Sequence, residues 1–295
     1  MKYTVNSSTP HRLRKPSRFL LALLPLVIGL GSCTSASVPT TSSDTTTAQV
    51  ATDGTPLDYT TYAEVLSNYV DERGFVDYEG LQADRQGLDE FNAAIAAVTP
   101  ETYATWSEAD QIAYWMNAYN SLTLKAIIDQ TPLKASIKDI VGVWRINKHD
   151  ILSTSKTLNQ IEHDILRVDF TEPRLHAAIV CAAVSCPPLR NEPFTGEQLN
   201  EQLDEQTLRF VSNPDTGVNI DKDNGVVYLS SIFQWFEQDW IPTDGTDSGF
   251  TGSEAQRAVL NHVSKYVSPE DQAYLAEGNY EIKYLDYDWS LNRQG

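Results

Sequence analysis

Cysteine is scarce in this chain, with Cys33, Cys181 and Cys186 the only ones among 295 residues. So few exclude a small scaffold stapled by several disulfides. No cysteine pair has C-x2-C spacing and no histidine pair H-x3-H, so His149, His163, His176 and His262 carry no zinc expectation, and no cofactor is expected. Calcium is equally unsupported: the "DKDNG" stretch at Asp221–Gly225 has glycine where a third oxygen ligand belongs and Ile232 where a glutamate would close the loop. Positive charge is the other deficit. The whole chain carries a net charge of −18; residues 1–32 hold five of its 22 bases and none of its 40 acids, so without them the charge is −23. No basic cluster remains to attract nucleic acid or anionic headgroups. Internal repeats are absent too, and no low-complexity break follows Leu57.

The N-terminus reads as a targeting signal. Arg12, Arg14, Lys15 and Arg18 precede the apolar run "FLLALLPLVIGL" (Phe19–Leu30), which is shorter than the roughly 20 residues of a spanning helix. "LGSC" then resembles a bacterial lipobox, with Cys33 as the lipidated first residue; ordinary secretory cleavage nearby is the alternative. The expected location is therefore the cell envelope, with the chain held on a membrane by lipid at Cys33. Residues 34–55 contain 12 Ser/Thr and no aromatic residue, the composition of a flexible tether. Residues 57–295 are expected to form one domain.

Within it, Ile112, Met116, Tyr119, Leu122, Ala126 and Ile127 recur at helical steps and predict a helix over 109–129. Asn117, Asn120 and Ser121 would share a second face of that helix. Three capping boxes, Thr157/Gln160, Thr195/Gln198 and Ser253/Gln256, announce further helices. "LHAAIV" (Leu175–Val180) reads as a strand covered on both faces, residues 217–230 as a hairpin around Asn224-Gly225, and residues 281–289 as a late strand. Helices outnumber strands without alternating with them. The class is α+β.

"LHAAIVCAAVSCPPLR" (residues 175–190) concentrates the reactive side chains. In a strand, residues five apart face opposite ways, so His176 and Cys181 would not form a thiolate–imidazolium pair. If Cys181 is a nucleophile, its base comes from elsewhere, with His163 and His262 as candidates, while Arg174 and Arg190 could lower the thiol pKa. His163 and Arg167 share a helix face, whereas Glu162 points away from it. A Cys181–Cys186 disulfide is the rival reading. Extended, that stretch spans roughly 17 Å against the roughly 6 Å between bridged cysteines, so a bond requires "AAVS" to fold into a turn.

"YWMNAYNSLTLKAI" (114–127), "LNQIEHDILR" (158–167), "PRLHAAIVCAAVSCPPLR" (173–190), "LSSIFQWFEQDW" (229–240) and "YLDYDWSLN" (284–292), in this order, resemble bacterial members of the "domain of unknown function 547" family. The resemblance covers residues 58–293. It implies an exported protein; plant relatives join the domain to a leucine zipper and resemble this chain at His176 and Cys181, with serine where Cys186 stands. It also implies a papain- or transglutaminase-like arrangement, a central helix packed on a small sheet. Such enzymes place cysteine at the start of that helix, and here the helix from Ala109 has none, so only a rearranged site would fit. The expectation is a cysteine-dependent hydrolase or transferase acting on amide or thiol-containing substrates. Cys181 would be the nucleophile and His163 or His176 the base; Asn117, Asn120, Arg174, Cys186 and Arg190 would contact a peptide or small-molecule ligand. The alternative is a binding or scaffold domain in which both cysteines are structural.

Overall fold

The computed structural model describes residues 55–295, so the readings of the signal peptide, the Cys33 lipid anchor and nearly all of the tether lie outside the described residues. Four helices come first: α1 (Thr60–Tyr69), α2 (Tyr78–Ala83), α3 (Gln86–Ala97) and α4 (Pro100–Tyr103). The expected long helix follows as α5 (Glu108–Ile128), one residue displaced at each end, with the Ser107 side chain accepting from the Asp110 N–H as its N-cap. Sixteen of its 21 residues are buried, including both asparagines. A helix enclosed on all sides is the centre of a core, and α2, α3 and α8 (Leu199–Val211) pack on it.

A two-stranded hairpin, β1 (Lys148–Ile151) with β2 (Thr154–Thr157), leads into a helix of unusual make-up. α6 (Leu158–Gln160) starts at the Thr157/Gln160 capping box, one π turn spans Ile161–Leu166, and α7 (Arg167–Asp169) ends the run. π turns widen the helix by one residue and are frequent at functional sites. The Ser253/Gln256 box forms as well. The Thr195/Gln198 box does not close: Thr195 accepts from the Gln198 N–H at 3.4 Å, but the Thr195 N–H is taken by Gln202, and α8 starts later, at Leu199.

The hairpin at 217–230 is β3 (Val218–Asp221) antiparallel to β4 (Val226–Leu229). Its turn is closed by the Asp221 carboxylate, which accepts from the backbone and side-chain N–H groups of Asn224, and by Gly225 at φ +65°. The late strand is shorter than expected: β5 (Glu281–Tyr284) pairs parallel with β4, and residues 285–292 run on as an extended tail. Between them lie α9 (Ser231–Trp235), α10 (Ile241–Asp244), α11 (Glu254–Ser264) and α12 (Pro269–Glu277). The α+β class holds. The long helix lies in the larger apolar core, and the three-stranded sheet lies in a smaller one with α9 and α11.

"LHAAIV" is not a strand. Pro173–Ala177 is a 3-10 helix, opened by Pro173 and capped by Glu172, whose carboxylate accepts from the Arg174 N–H. Residues 178–180 follow without a sheet neighbour. A buried backbone still needs partners, and the Asn120 side chain supplies them: its Nδ2 donates to the Ala178 carbonyl (3.0 Å) and its Oδ1 accepts from the Val180 N–H (2.8 Å). One carboxamide replaces a neighbouring strand. The continuous apolar pattern recorded burial and not extension. Leu175 and Ala178–Val180 pack in the larger core, and Ala177 alone in the smaller.

Candidate functional site

The polypeptide after Val180 turns sharply. Ala182 takes φ +59°, a conformation costly for a residue with a Cβ, and the Cys186 N–H donates to the Ala183 carbonyl (3.0 Å). This is the turn that a local disulfide requires, and Cys181 is bonded to Cys186 with the two Cα atoms 6.2 Å apart. The loop is held independently of the sulfurs by the C-terminal tail. Val184 N–H donates to the Ser290 carbonyl (2.8 Å), Ser185 N–H to the Asp288 carbonyl (3.2 Å), and Asn292 N–H to the Ala182 carbonyl (3.2 Å). The Asp288 N–H donates to Ser185 Oγ at 2.9 Å.

The two sulfurs differ. Cys181 is half-buried, and Cys186 is buried. The Cys181 N–H points at Cys186 Sγ (3.0 Å), and the Tyr287 hydroxyl lies 3.2 Å from Cys186 Sγ and 3.1 Å from Cys181 Sγ. Disulfide sulfurs carry no proton, so the phenol is the donor in both contacts. Burial, with the Glu162 charge behind it, holds the Tyr287 phenol far above its ordinary range, so it stays protonated. Tyr287 also belongs to an aromatic wall: its ring is 4.6 Å from that of Trp289 and 4.8 Å from that of Trp235, and Trp144 meets Trp289 edge-on at 6.1 Å.

Glu162, on the π turn, is mostly enclosed and accepts from the Tyr119 hydroxyl of α5 at 3.0 Å. Its neighbour His163 accepts at Nδ1 from Arg167 (2.6 Å), because a guanidinium only donates, which leaves the proton on Nε2, 3.9 Å from Glu162 Oε1. Burial lowers the His163 pKa, and the Arg167 charge reinforces the shift against the pull of Glu162. Arg167 also forks onto Asp239 with 2.6 and 2.9 Å bonds, and Asp239 receives His176 Nε2 at 2.8 Å. His176 is buried against Phe236, ring centroids 4.4 Å apart, and burial lowers its pKa as well. For Asp239, burial alone would raise the pKa, but the bonds from His176 and Arg167 outweigh it and hold the carboxyl well below the usual range.

These positions correct several expectations. Among the described residues the sulfurs' hydrogen-bond partners are Tyr287 and the Cys181 N–H; neither His163 nor His176 is bonded to a sulfur, so the expected base for Cys181 is not in place. His262 is bonded to Asp244 (3.2 Å) within the smaller core. Asn117 and Asn120 are not free to contact a ligand: Asn117 donates to and accepts from the Phe194 backbone (2.7 and 3.0 Å), just as Asn120 holds 178–180. Arg174 is taken up by Glu172 and Asp204, and Arg190 by Glu192 and Glu205. Neither guanidinium is left unpaired to activate a thiol.

The family described as "Protein of unknown function, DUF547" matches residues 103–211. That segment is similar to this family. It runs from α4 through α8 and contains His163, His176, Cys181 and Cys186, and it is shorter than the resemblance over 58–293 drawn from five motifs. No curated protein and no solved structure matches the chain.

Sequence reasoning missed Tyr287, Trp235, Trp289 and Glu162. The first three sit in motifs that carry the family resemblance beyond the matched segment, but nothing in their spacing says that residues 287 and 289 fold back beside residue 181. Glu162 was set aside because an ideal helix points it away from His163; the π turn and the Tyr119 bond give it its place. A broad groove of about 1190 Å³, lined by Asp204, Glu205, Leu208 and Tyr266 among others, offers carboxylates and apolar floor but no sulfur.

Proposed function

We propose that this protein exchanges disulfides with thiol substrates through Cys181 and Cys186, the thiol-directed half of the transferase expectation. The observation that carries it is the inequality of the two sulfurs: the half-buried one can be reached, and the buried one already faces two donors. A substrate thiolate attacks Cys181 Sγ; a substrate–Cys181 disulfide forms, the Cys181–Cys186 bond breaks, and the electron pair leaves on Cys186 Sγ. The Cys181 N–H and the Tyr287 hydroxyl are placed to stabilise that thiolate, and a better-stabilised leaving thiolate departs faster. A second substrate thiolate then attacks the substrate sulfur and releases Cys181. Two substrate thiols are oxidised to a disulfide, the protein is reduced to a dithiol, and a second disulfide compound restores it.

Placement in the cell envelope by a lipid on Cys33 is part of this proposal, because disulfides persist outside the cytosol. Amide hydrolysis by reduced Cys181 is less well supported, since no histidine reaches a sulfur. The scaffold reading, with both cysteines structural, is favoured by the way Tyr287 and the tail cover the loop. Oxidation of a dithiol peptide, followed by mass spectrometry, separates the two. The oxidised protein is expected to convert an equivalent of peptide and the Cys181→Ser and Cys186→Ser variants none, while Cys186→Ser given the peptide in its disulfide form is expected to hold a mixed disulfide on Cys181, the other peptide sulfur leaving as a thiol. A native disulfide that survives millimolar dithiothreitol while the peptide stays reduced would overturn the proposal.

A further inference from the structure

We infer that the substrate thiol is carried by an extended polypeptide segment with apolar or aromatic residues beside its cysteine, and that the aromatic wall next to Cys181 binds that segment. This rests on the exchange reading and names its substrate class. Three rings form one face, Trp235 parallel to Trp289 within 18° at 5.9 Å, and Tyr287 against both. Tyr287 also touches the two sulfurs, so the face is continuous with the bond to be exchanged. It is open at Trp235, which is 46% exposed; Lys138 lies over the partly buried Trp289 ring at 4.8 Å, and Val141 (87%) and Ile146 (71%) stand out on the turn that carries Trp144. Of the five large apolar side chains left exposed among the described residues, Trp235 is on the wall and Val141 and Ile146 are on the turn whose Trp144 meets Trp289. Apolar surface gathered in one place marks a binding face rather than scatter.

Charge selects between kinds of thiol. The exposed Asp286 and Asp288 flank Tyr287 in the tail, and the chain as a whole is strongly acidic. An anionic small thiol would be repelled, whereas a neutral or basic peptide would not. A peptide also has what the rings need, flat apolar groups on either side of the sulfur, and stacking on tryptophan is specific in geometry. The pyrrolidine of proline and the aromatic side chains fit best.

The test separates docking from chemistry. Titrate the full chain with a peptide in which serine replaces cysteine between phenylalanine and proline, reading tryptophan fluorescence, and compare the Trp235→Ala variant. Then measure oxidation of the corresponding dithiol peptide and of dithiothreitol by both proteins. The expected result is roughly tenfold weaker binding and tenfold slower peptide oxidation in Trp235→Ala, a loss clearly larger than any in its oxidation of dithiothreitol. Three outcomes overturn the inference: no binding of the serine peptide, binding that Trp235→Ala leaves unchanged, or wild-type binding to neutral phosphatidylcholine vesicles in preference to the peptide. Failure of the exchange reading shows separately, as dithiothreitol left unoxidised by either protein.

Discussion

His176 and Cys181 stand close together on one segment, yet they face two clusters of opposite character. Around His176, the charged groups are taken up by one another, His176 Nε2 to Asp239, Asp239 to Arg167 and Arg167 to His163, with Phe236 and Trp240 closing the sides and only the buried Trp240 Nε1–H left without a partner among them. Around Cys181, the bonds that fix the loop come mostly from backbone, while Cys181 itself is half-buried and the neighbouring Trp235 ring is exposed. Reactive residue types occur in both. What separates a structural cluster from a candidate site is whether the groups have spent their hydrogen-bonding capacity on one another.

That contrast can be broken by mutation, and the largest effect belongs to the closed cluster. Asp239→Ala leaves Arg167 and His176 without their shared partner, and removing one member of a buried charge network costs about 3 kcal/mol; urea unfolding should show that loss, with exchange activity of the folded fraction unchanged. Asn120→Ala comes next. It strips the Ala178 carbonyl and the Val180 N–H of partners, at about 2 kcal/mol for buried groups left unsatisfied, and amide hydrogen exchange at Val180 should accelerate. Stability unaffected by Asn120→Ala would mean that water or another side chain takes over the role assigned to the carboxamide.

The open cluster should respond in rate more than in stability. Reducing the Cys181–Cys186 bond removes a short cross-link, worth no more than about 2 kcal/mol by the loop-entropy argument, and the tail bonds should keep the loop folded. Tyr287→Phe should slow exchange about tenfold, since a donor to a developing thiolate is lost, while the urea midpoint moves little. A rate identical to wild type would remove Tyr287 from the mechanism and favour the structural view of the disulfide.

The smallest effect is on pH dependence. In the fold, His163 and His176 have pKa values below their ordinary one, chiefly from burial. As pH falls through about 6.5 the unfolded chain takes up protons that the folded one does not, so stability is full above that pH and declines below it. Asp239, held low by His176 and Arg167, adds a decline of the same sign in more acidic solution. Urea midpoints should therefore fall steadily from about pH 7.5 to about pH 5; a midpoint that rises over this range would contradict the assignment of neutral imidazoles.

How much of this was legible in the sequence differs from element to element. The α5 helix, two of the three capping boxes and the Asn224-Gly225 hairpin could be read because each depends on residues near one another in the chain, through periodicity, side-chain caps or turn geometry. The 175–180 segment could not, because a continuous apolar run reports burial without saying whether a strand or a side-chain amide satisfies its backbone. For the same reason the strand-parity argument separated His176 from Cys181 correctly in direction but on a premise the fold does not share.

The sequence by itself determined the acidic character, the α+β class, the DUF547 resemblance and the short list of groups capable of chemistry, since all of these follow from composition and local pattern. Only the tertiary structure decided which of those groups meet. It paired Cys181 with Cys186, brought Tyr287 and Trp289 back across the chain to the sulfurs, occupied Asn117 and Asn120 with backbone, and closed His176 against Asp239. Such contacts join residues far apart in the chain, and nothing local in the sequence records them until the core has packed.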